Sequence, residues 1–320
     1  MARVILRSLF SMLLAAFVGS LVVFTLLRSI GGDVAHIILG QYATEGALEA
    51  LQQELGLNEP WYVQYIEWLG GVFKGDLGVS YSARFDIFDE IVRRFTPTAI
   101  LSFGSLLLSM PIALALGTYA AIHSKKIRGG LVDVASQIGM AIPTFWAGLI
   151  LVLVIGIGLG WLPTGGYTSP FENLGRSLQQ LAMPILALSL GNVSILTRYV
   201  RSAMIDVMNE DFIRTAMAKG RTRRGAALFH GVRNASVSLV TVGVIHLGHL
   251  MAGTVVIENV FVIPGIGRLL LTSVIGREVI VVQSLTLVIM LMILVMNFMM
   301  DIGYVLIDPR IRDKGGKPVA

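Results

Sequence analysis

The chain has 320 residues, of which 55% are hydrophobic and only 14% charged. A soluble domain carries about 25% charged residues, which argues against a single water-soluble domain. Zero cysteines remove disulfides, thiolate metal sites and thiol nucleophiles, and 25 Lys and Arg against 20 Asp and Glu leave a net +5 whose meaning depends on where the cations lie.

Uncharged runs lie between Arg7 and Arg28, Arg94 and Lys125, Asp133 and Glu172, Arg176 and Arg198, Arg233 and Glu258, and Glu278 and Asp301. Each meets the roughly 20 apolar residues needed to cross a hydrocarbon core of about 30 Å. The pattern predicts an all-α polytopic membrane protein with six transmembrane helices. Its first run, Ser8–Leu27, exceeds a signal-peptide core of about 7–15 residues and runs into Arg28, so residues 1–30 read as an uncleaved anchor.

An outer segment, 31–94, follows. In it Leu48, Leu51 and Leu55 recur at helical spacing behind Thr44 as N-cap, with Gly56 as the stop. Pro60 fits the first turn of a second helix carrying Trp61, Tyr62, Tyr65 and Trp68. That helix reads as an interfacial packing element rather than a ligand-stacking platform. Residues 95–307 form the core of five further spans, where Pro111, Pro143 and Pro184 predict kinks and Gly156, Gly158 and Gly160 predict close helix packing.

Within that core, segment 198–235 is too long and polar for a simple turn. It predicts two helices, Met204–Lys219 and Arg223–Val232, with Gly220 ending the first and Thr222 capping the second. Val262–Arg268 is a Pro/Gly-rich break that predicts a re-entrant or surface turn. The tail is 308–320. With a cytoplasmic N-terminus, seventeen of the 25 Lys and Arg fall on inner segments and eight outside, which places both termini in the cytoplasm. Positive charge divided among four short segments between spans argues against a nucleic-acid surface.

Chemistry-bearing motifs are few. No G-x-x-x-x-G-K-[ST] stretch exists to bind ATP phosphates, and no H-E-x-x-H to hold a hydrolytic zinc. Ionisable groups inside the spans are His246, His249, Glu258 and Asp301, and none is a mid-span carboxylate. A proton- or sodium-driven carrier generally needs such groups near the midplane, so the energy source is expected outside this chain, at the cytoplasmic face. A stand-alone channel or secondary carrier is the alternative from another class. His246 and His249 share a helix face and, with Met251, are candidates to touch a soft metal complex; hydrogen bonding to neighbouring helices is the plainer reading, because two imidazoles are a poor metal site. Asn297 and Asp301, one turn apart, read as ties between helices.

Arg214-Thr215-Ala216-Met217-Ala218-Lys219-Gly220 is preceded by Asp211-Phe212-Ile213 and followed by Arg233-Asn234-Ala235. The stretch resembles the E-A-A-x3-G loop of the inner-membrane permeases of binding-protein-dependent ABC importers for dipeptides, oligopeptides and nickel. Glu54-Leu55-Gly56-Leu57-Asn58-Glu59-Pro60 with Tyr65, Gly75-Asp76-Leu77-Gly78-Val79-Ser80, Pro264-Gly265-Ile266-Gly267-Arg268 and Asp308-Pro309-Arg310-Ile311-Arg312 complete the likeness over essentially the whole chain. Ser238 stands where the family often has Pro, Ile263 where it has Trp, and Arg214 where the loop motif has Glu.

The resemblance implies an ABC type I importer-like permease fold in the bacterial cytoplasmic membrane. It further implies a second homologous permease chain, two ATP-binding subunits and an extracytoplasmic solute-binding protein as partners. The chain itself would bind no cofactor, with ATP and Mg on the partner subunits. Residues Arg214, Thr215, Ala216, Met217, Ala218, Lys219, Gly220 and Arg221 would form the coupling loop seated on an ATPase, with Arg214, Lys219, Arg221, Arg223 and Arg224 facing its acidic groups. Small peptides are the expected cargo, along a path drawn from Asn192, Ser194, Thr197, His246, His249 and Met251. Nickel or a nickel chelate is the alternative, since His246-Leu247-Gly248-His249 and Ile257-Glu258-Asn259 look nearer to the nickel branch.

Overall fold

The computed structural model describes residues 2–30, 35, 39, 44–54 and 58–307. Helices dominate because apolar runs in lipid must satisfy their backbone groups internally. In chain order they are α1 (Ala2–Ile30), α2 (Glu45–Glu54), α3 (Trp61–Phe73), α4 (Ile87–Ile122), α5 (Ile127–Ala141), α6 (Thr144–Leu151), α7 (Leu174–Met208), α8 (Asp211–Ala218), α9 (Arg223–Ala226), α10 (Val232–Val260), α11 (Ile266–Ile275) and α12 (Val279–Ile307). Among the described residues the β structure is one isolated bridge, Val79 to Asp86. Contacts divide the chain into two units, 1–96 with 268–320, and 97–267.

In the first unit α1 lies along α12. Ser8 donates to the Asp301 carboxylate, the interhelical tie expected of Asp301. The aromatic helix α3 packs on α1. Tyr65 is buried with its hydroxyl 2.8 Å from that of Ser20, its ring lies edge-on to Phe24 at 5.4 Å, and Trp68 lies 5.7 Å from the same Phe24. Trp61 and Tyr62 stay exposed. Pro60 sits one position earlier than expected, at the N-cap, and its carbonyl accepts from Val63 and Gln64. Thr44 precedes α2 as predicted, its carbonyl accepting from Leu48 at 2.9 Å; Leu55 and Gly56 lie outside the described residues.

The stretch from Gly75 to Asp86 is held by a carboxylate distant in sequence. Glu278, buried just before α12, accepts from the Ser80 hydroxyl at 2.9 Å, the Tyr81 amide at 3.1 Å, the Ser82 amide at 3.0 Å and the Ser82 hydroxyl. Ser284 adds a bond to the Leu77 carbonyl at 2.8 Å. Asp86 then caps α4 by accepting from the Asp89 amide at 3.1 Å, and Asp89 and Glu90 place negative charge on the first turn, where the helix dipole favours it.

The second unit is built around α7, buried along most of its length against α5, α6 and α10. Pro111 and Pro184 lie inside unbroken helices, but Pro143 does not. The third predicted span is broken there: α5 and α6 meet at 94°, with Ile142 extended (φ −78°, ψ 118°), as a residue before proline is pressed to be. Beyond α6, Val152–Gly158 winds as a wide π-helix, and Gly156 faces Thr164 and Met183. Leu101, Leu181, Met183, Ala187, Leu188, Ile257, Phe261 and Ile263 make the core of this unit. Asp133 and Arg201 pair at 2.9 Å, joining α5 to α7.

Among the described residues four single helices are long and apolar enough to cross a membrane, over Ile5–Arg28, Ile87–Ile122, Leu174–Met208 and Val279–Gly303; the bent α5–α6 pair makes a fifth if it is one span. The 29-residue α10 covers the remaining uncharged run.

Candidate functional site

The segment expected to form two helices differs in its boundaries. Met204–Met208 belongs to α7, which ends at Asn209, and the short helix starts only at Asp211. The signal was legible: an Asn that suits a helix end, then two acids that favour a new N-terminus. Gly220 does end α8. At φ +87° it occupies the left-handed region, so that its amide reaches the Met217 carbonyl (2.9 Å) and the Arg221 amide reaches the Ala216 carbonyl (3.2 Å). These paired bonds are a Schellman closure, and glycine enters it without Cβ strain. Thr222 caps the next helix as predicted, its hydroxyl accepting from Gly225 at 3.1 Å. That helix does not stop near Val232. It passes through a π turn, Ala227–Gly231, directly into α10, because no residue between Arg223 and Val260 breaks the pattern.

α8 has two faces. Ile213 and Ala216 are buried with Ala226, while Phe212, Met217, Ala218 and Gly220 are exposed, as are Arg214, Thr215 and Lys219. Of the cations expected to point outward, two are engaged within the chain. The Arg221 guanidinium lies 4.2 Å from the centre of the Phe229 ring, and Arg224 donates to His123 Nε2 at 2.8 Å. Arg214 pairs with Asp211 at 3.5 Å, both highly exposed, a contact worth little in water. The Arg223 side chain lies outside the described residues.

The residues expected to line a path lie on α7 and α10. Asn192 Nδ2 donates to the Leu188 carbonyl (3.0 Å) and Ser194 Oγ to Leu190 (2.9 Å), both buried and bonded within their own helix. Thr197 Oγ1 is buried with no hydrogen-bond partner among the described residues. His246 is half-buried and its ring meets Tyr199 of α7 edge-on at 6.0 Å. Met251 is half-buried, and its carbonyl accepts from Thr254. The His249 side chain lies outside the described residues, among which no three His, Cys, Asp or Glu gather as a metal-binding group.

Two carboxylates matter more than the sequence suggested: Glu278 was read only as the charge bounding an apolar run, and Glu258 as an ionisable group of a span and part of the likeness to the nickel branch. Glu278 is one. Burial alone raises its pKa, but the hydroxyls of Ser82 and Ser80 and the amides of Ser82 and Tyr81 outweigh that and hold it below 4.5. Burial, and then this same negative charge, push the neighbouring Tyr81 hydroxyl up to about 12. Ser80 and Ser82, closely spaced ahead of α4, were the available signal.

Glu258 is the other, fully buried near the end of α10. It accepts from Thr98 Oγ1 at 2.7 Å, and that hydroxyl in turn accepts from the Ile266 amide at 2.9 Å. The Ile263 amide donates to the Glu258 carbonyl at 2.8 Å. Gly265 lies so close that a Cβ there would overlap the carboxylate. The expected turn at Val262–Arg268 is therefore tucked inward, with Phe261 and Ile263 buried in the core. Val262 carries the strain of the reversal: a β-branched residue at φ +56°, a conformation costing on the order of 1–3 kcal/mol.

Known proteins resemble the chain over nearly all of this structure. The family described as binding-protein-dependent transport system inner membrane component matches residues 113–313, and the N-terminal region of such membrane components matches residues 1–102. A probable peptide ABC transporter permease of Sinorhizobium fredii is 35% identical over 96% of this chain and 98% of its own length. The glutathione transport system permease of Escherichia coli is 33% identical over 98% and 100%. The oligopeptide transport system permease of Bacillus subtilis is 35% identical over 90% and 92%.

Proposed function

Because the chain belongs to the family of inner membrane components of binding-protein-dependent transport systems, we propose that it is the permease through which small peptides enter the cell. The family supplies the membrane path of an ABC importer, while ATP hydrolysis belongs to separate subunits and solute capture to a binding protein. The reading further takes the chain to cross the membrane six times with both termini cytoplasmic. It pairs with a second, homologous permease, and two ATPase subunits supply ATP and Mg.

One observation carries the cargo: end-to-end likeness to permeases whose names specify peptide, oligopeptide and glutathione, itself a tripeptide. Among the described residues no metal-ligand cluster forms around His246, whose ring meets Tyr199 edge-on. Coupling falls to α8 and its glycine closure. Met217, Ala218 and Gly220 form a small, exposed surface that admits close approach, flanked by Arg214 and Lys219.

The test is uptake in proteoliposomes holding the complete complex. Labelled di- and tripeptides should enter only with ATP and the binding protein, and nickel should not. Entry of nickel alone would overturn the cargo. Flux through this chain by itself, indifferent to nucleotide, would overturn the importer reading.

A further inference from the structure

The joint at Gly220–Thr222 and the turn at Phe261–Gly265 are the two ends of one helical rod. Between them α9, the π turn and α10 run without a break from Arg223 to Val260, about 55 Å at the α-helical rise. A shift of the joint along the rod's axis is carried to the far end, because a hydrogen-bonded helix resists shortening. At that far end sits a knot of unusual closeness. The buried Glu258 carboxylate, the Thr98 hydroxyl of α4 and the Ile266 amide are linked in series, and the backbone of Gly265 lies directly against the carboxylate. The strained Val262 sits within the loop that this knot closes.

We propose that Glu258 is a positioning residue, the latch that fastens the Phe261–Gly265 turn in its tucked state until the rod moves. Three features support it. A carboxylate fully buried in an apolar bundle is costly, which points to a purpose. Its links join three separate elements, α4, α10 and the start of α11. Strain at Val262 favours release once the links part. In the tucked state Phe261 and Ile263 fill the core beside Leu181 and Met183; in the released state they leave it, opening the bundle at the end away from the joint. The inference rests on the importer reading.

The absence of cysteine makes the test direct. An Ile263→Cys chain, assembled into the complete complex, carries a single thiol in the permease that a membrane-impermeant maleimide can report by a mass shift of that chain. Labelling should run at least about tenfold faster when nucleotide is trapped on the ATPases than without it. Adding Glu258→Gln should bring the fast rate without nucleotide and lower the peptide imported per ATP hydrolysed. Thr98→Val should act in the same direction and Thr98→Ser should restore the slow rate, a rescue that general destabilisation would not give. Should Glu258→Gln fail to assemble, the Thr98 pair carries the test alone. Nucleotide-independent labelling in a complex that imports peptide overturns the latch, as does slow labelling in Thr98→Val. Absence of nucleotide-dependent uptake by the unsubstituted complex overturns the importer reading, and the latch with it.

Discussion

Gly139 of α5 and Ser194 of α7 meet so closely that a Cβ on the first would overlap the hydroxyl of the second. Ser194, expected from the sequence to line a path, also makes a helix-packing contact. Gly139→Ala should lower thermal stability by about 1–3 kcal/mol, the usual range for overpacking. Ser194→Ala removes the clashing oxygen, so the double variant should recover most of that loss. Thermal melts of the purified chain in detergent check this, and simple additivity of the two changes would contradict it.

Gly220 tests the joint by backbone alone. Among the described residues nothing lies within 4 Å of the Cβ it lacks, so Gly220→Ala meets no clash there and costs the left-handed φ, about 1–2 kcal/mol. Peptide uptake should fall severalfold while membrane insertion stays normal. Gly220→Trp adds bulk to the exposed surface and should abolish uptake with insertion intact. Copurification of the ATPase subunits should weaken in the same order.

The Glu278 staple predicts an acid dependence of known sign. Its carboxyl is held below 4.5 when folded, so the charged form stabilises the fold. That contribution is fully present above about 4.5, the unfolded value, and is lost as pH falls through the lower folded one. Protection factors of the Tyr81 and Ser82 amides, taken against the intrinsic exchange rate at each pH, should therefore fall below that range. Glu278→Gln should lower them at neutral pH and flatten the acid dependence.

Tyr65→Phe removes one buried hydroxyl and leaves Ser20 still bonded to the Phe17 carbonyl at 2.8 Å. The expected cost is modest, about 0.5–1.5 kcal/mol. Tyr65→Ala also empties the contact with Phe24 and Trp68 and should cost about 3–5 kcal/mol. Melting temperatures of the two variants should separate accordingly.

The spans and the caps were readable because each is a local pattern. Charge-free runs, Thr222 before its helix and Gly220 after α8 all act within one or two turns of themselves. Pro143 was read as a kink, yet the 94° break depends on what α6 packs against, which neighbouring residues do not encode. Met204 to Lys219 looked continuous because its apolar spacing survives the interruption at Asn209. The two staples were hidden for a different reason: Glu278 and Ser80 are separated by 198 residues, and Glu258 and Thr98 by 160, so only the folded chain shows them as neighbours. The same holds for Arg224 and His123, 101 residues apart.

The wide turn at Ala227–Gly231 has a mechanical consequence. A coil holding one surplus residue can hand it to the next position by swapping a single carbonyl partner at a time, never exposing more than a bond or two. Each such step turns the residue it passes by about 100° while the helix beyond keeps its orientation. The stem above the joint can therefore re-aim side chains one at a time, with no melting.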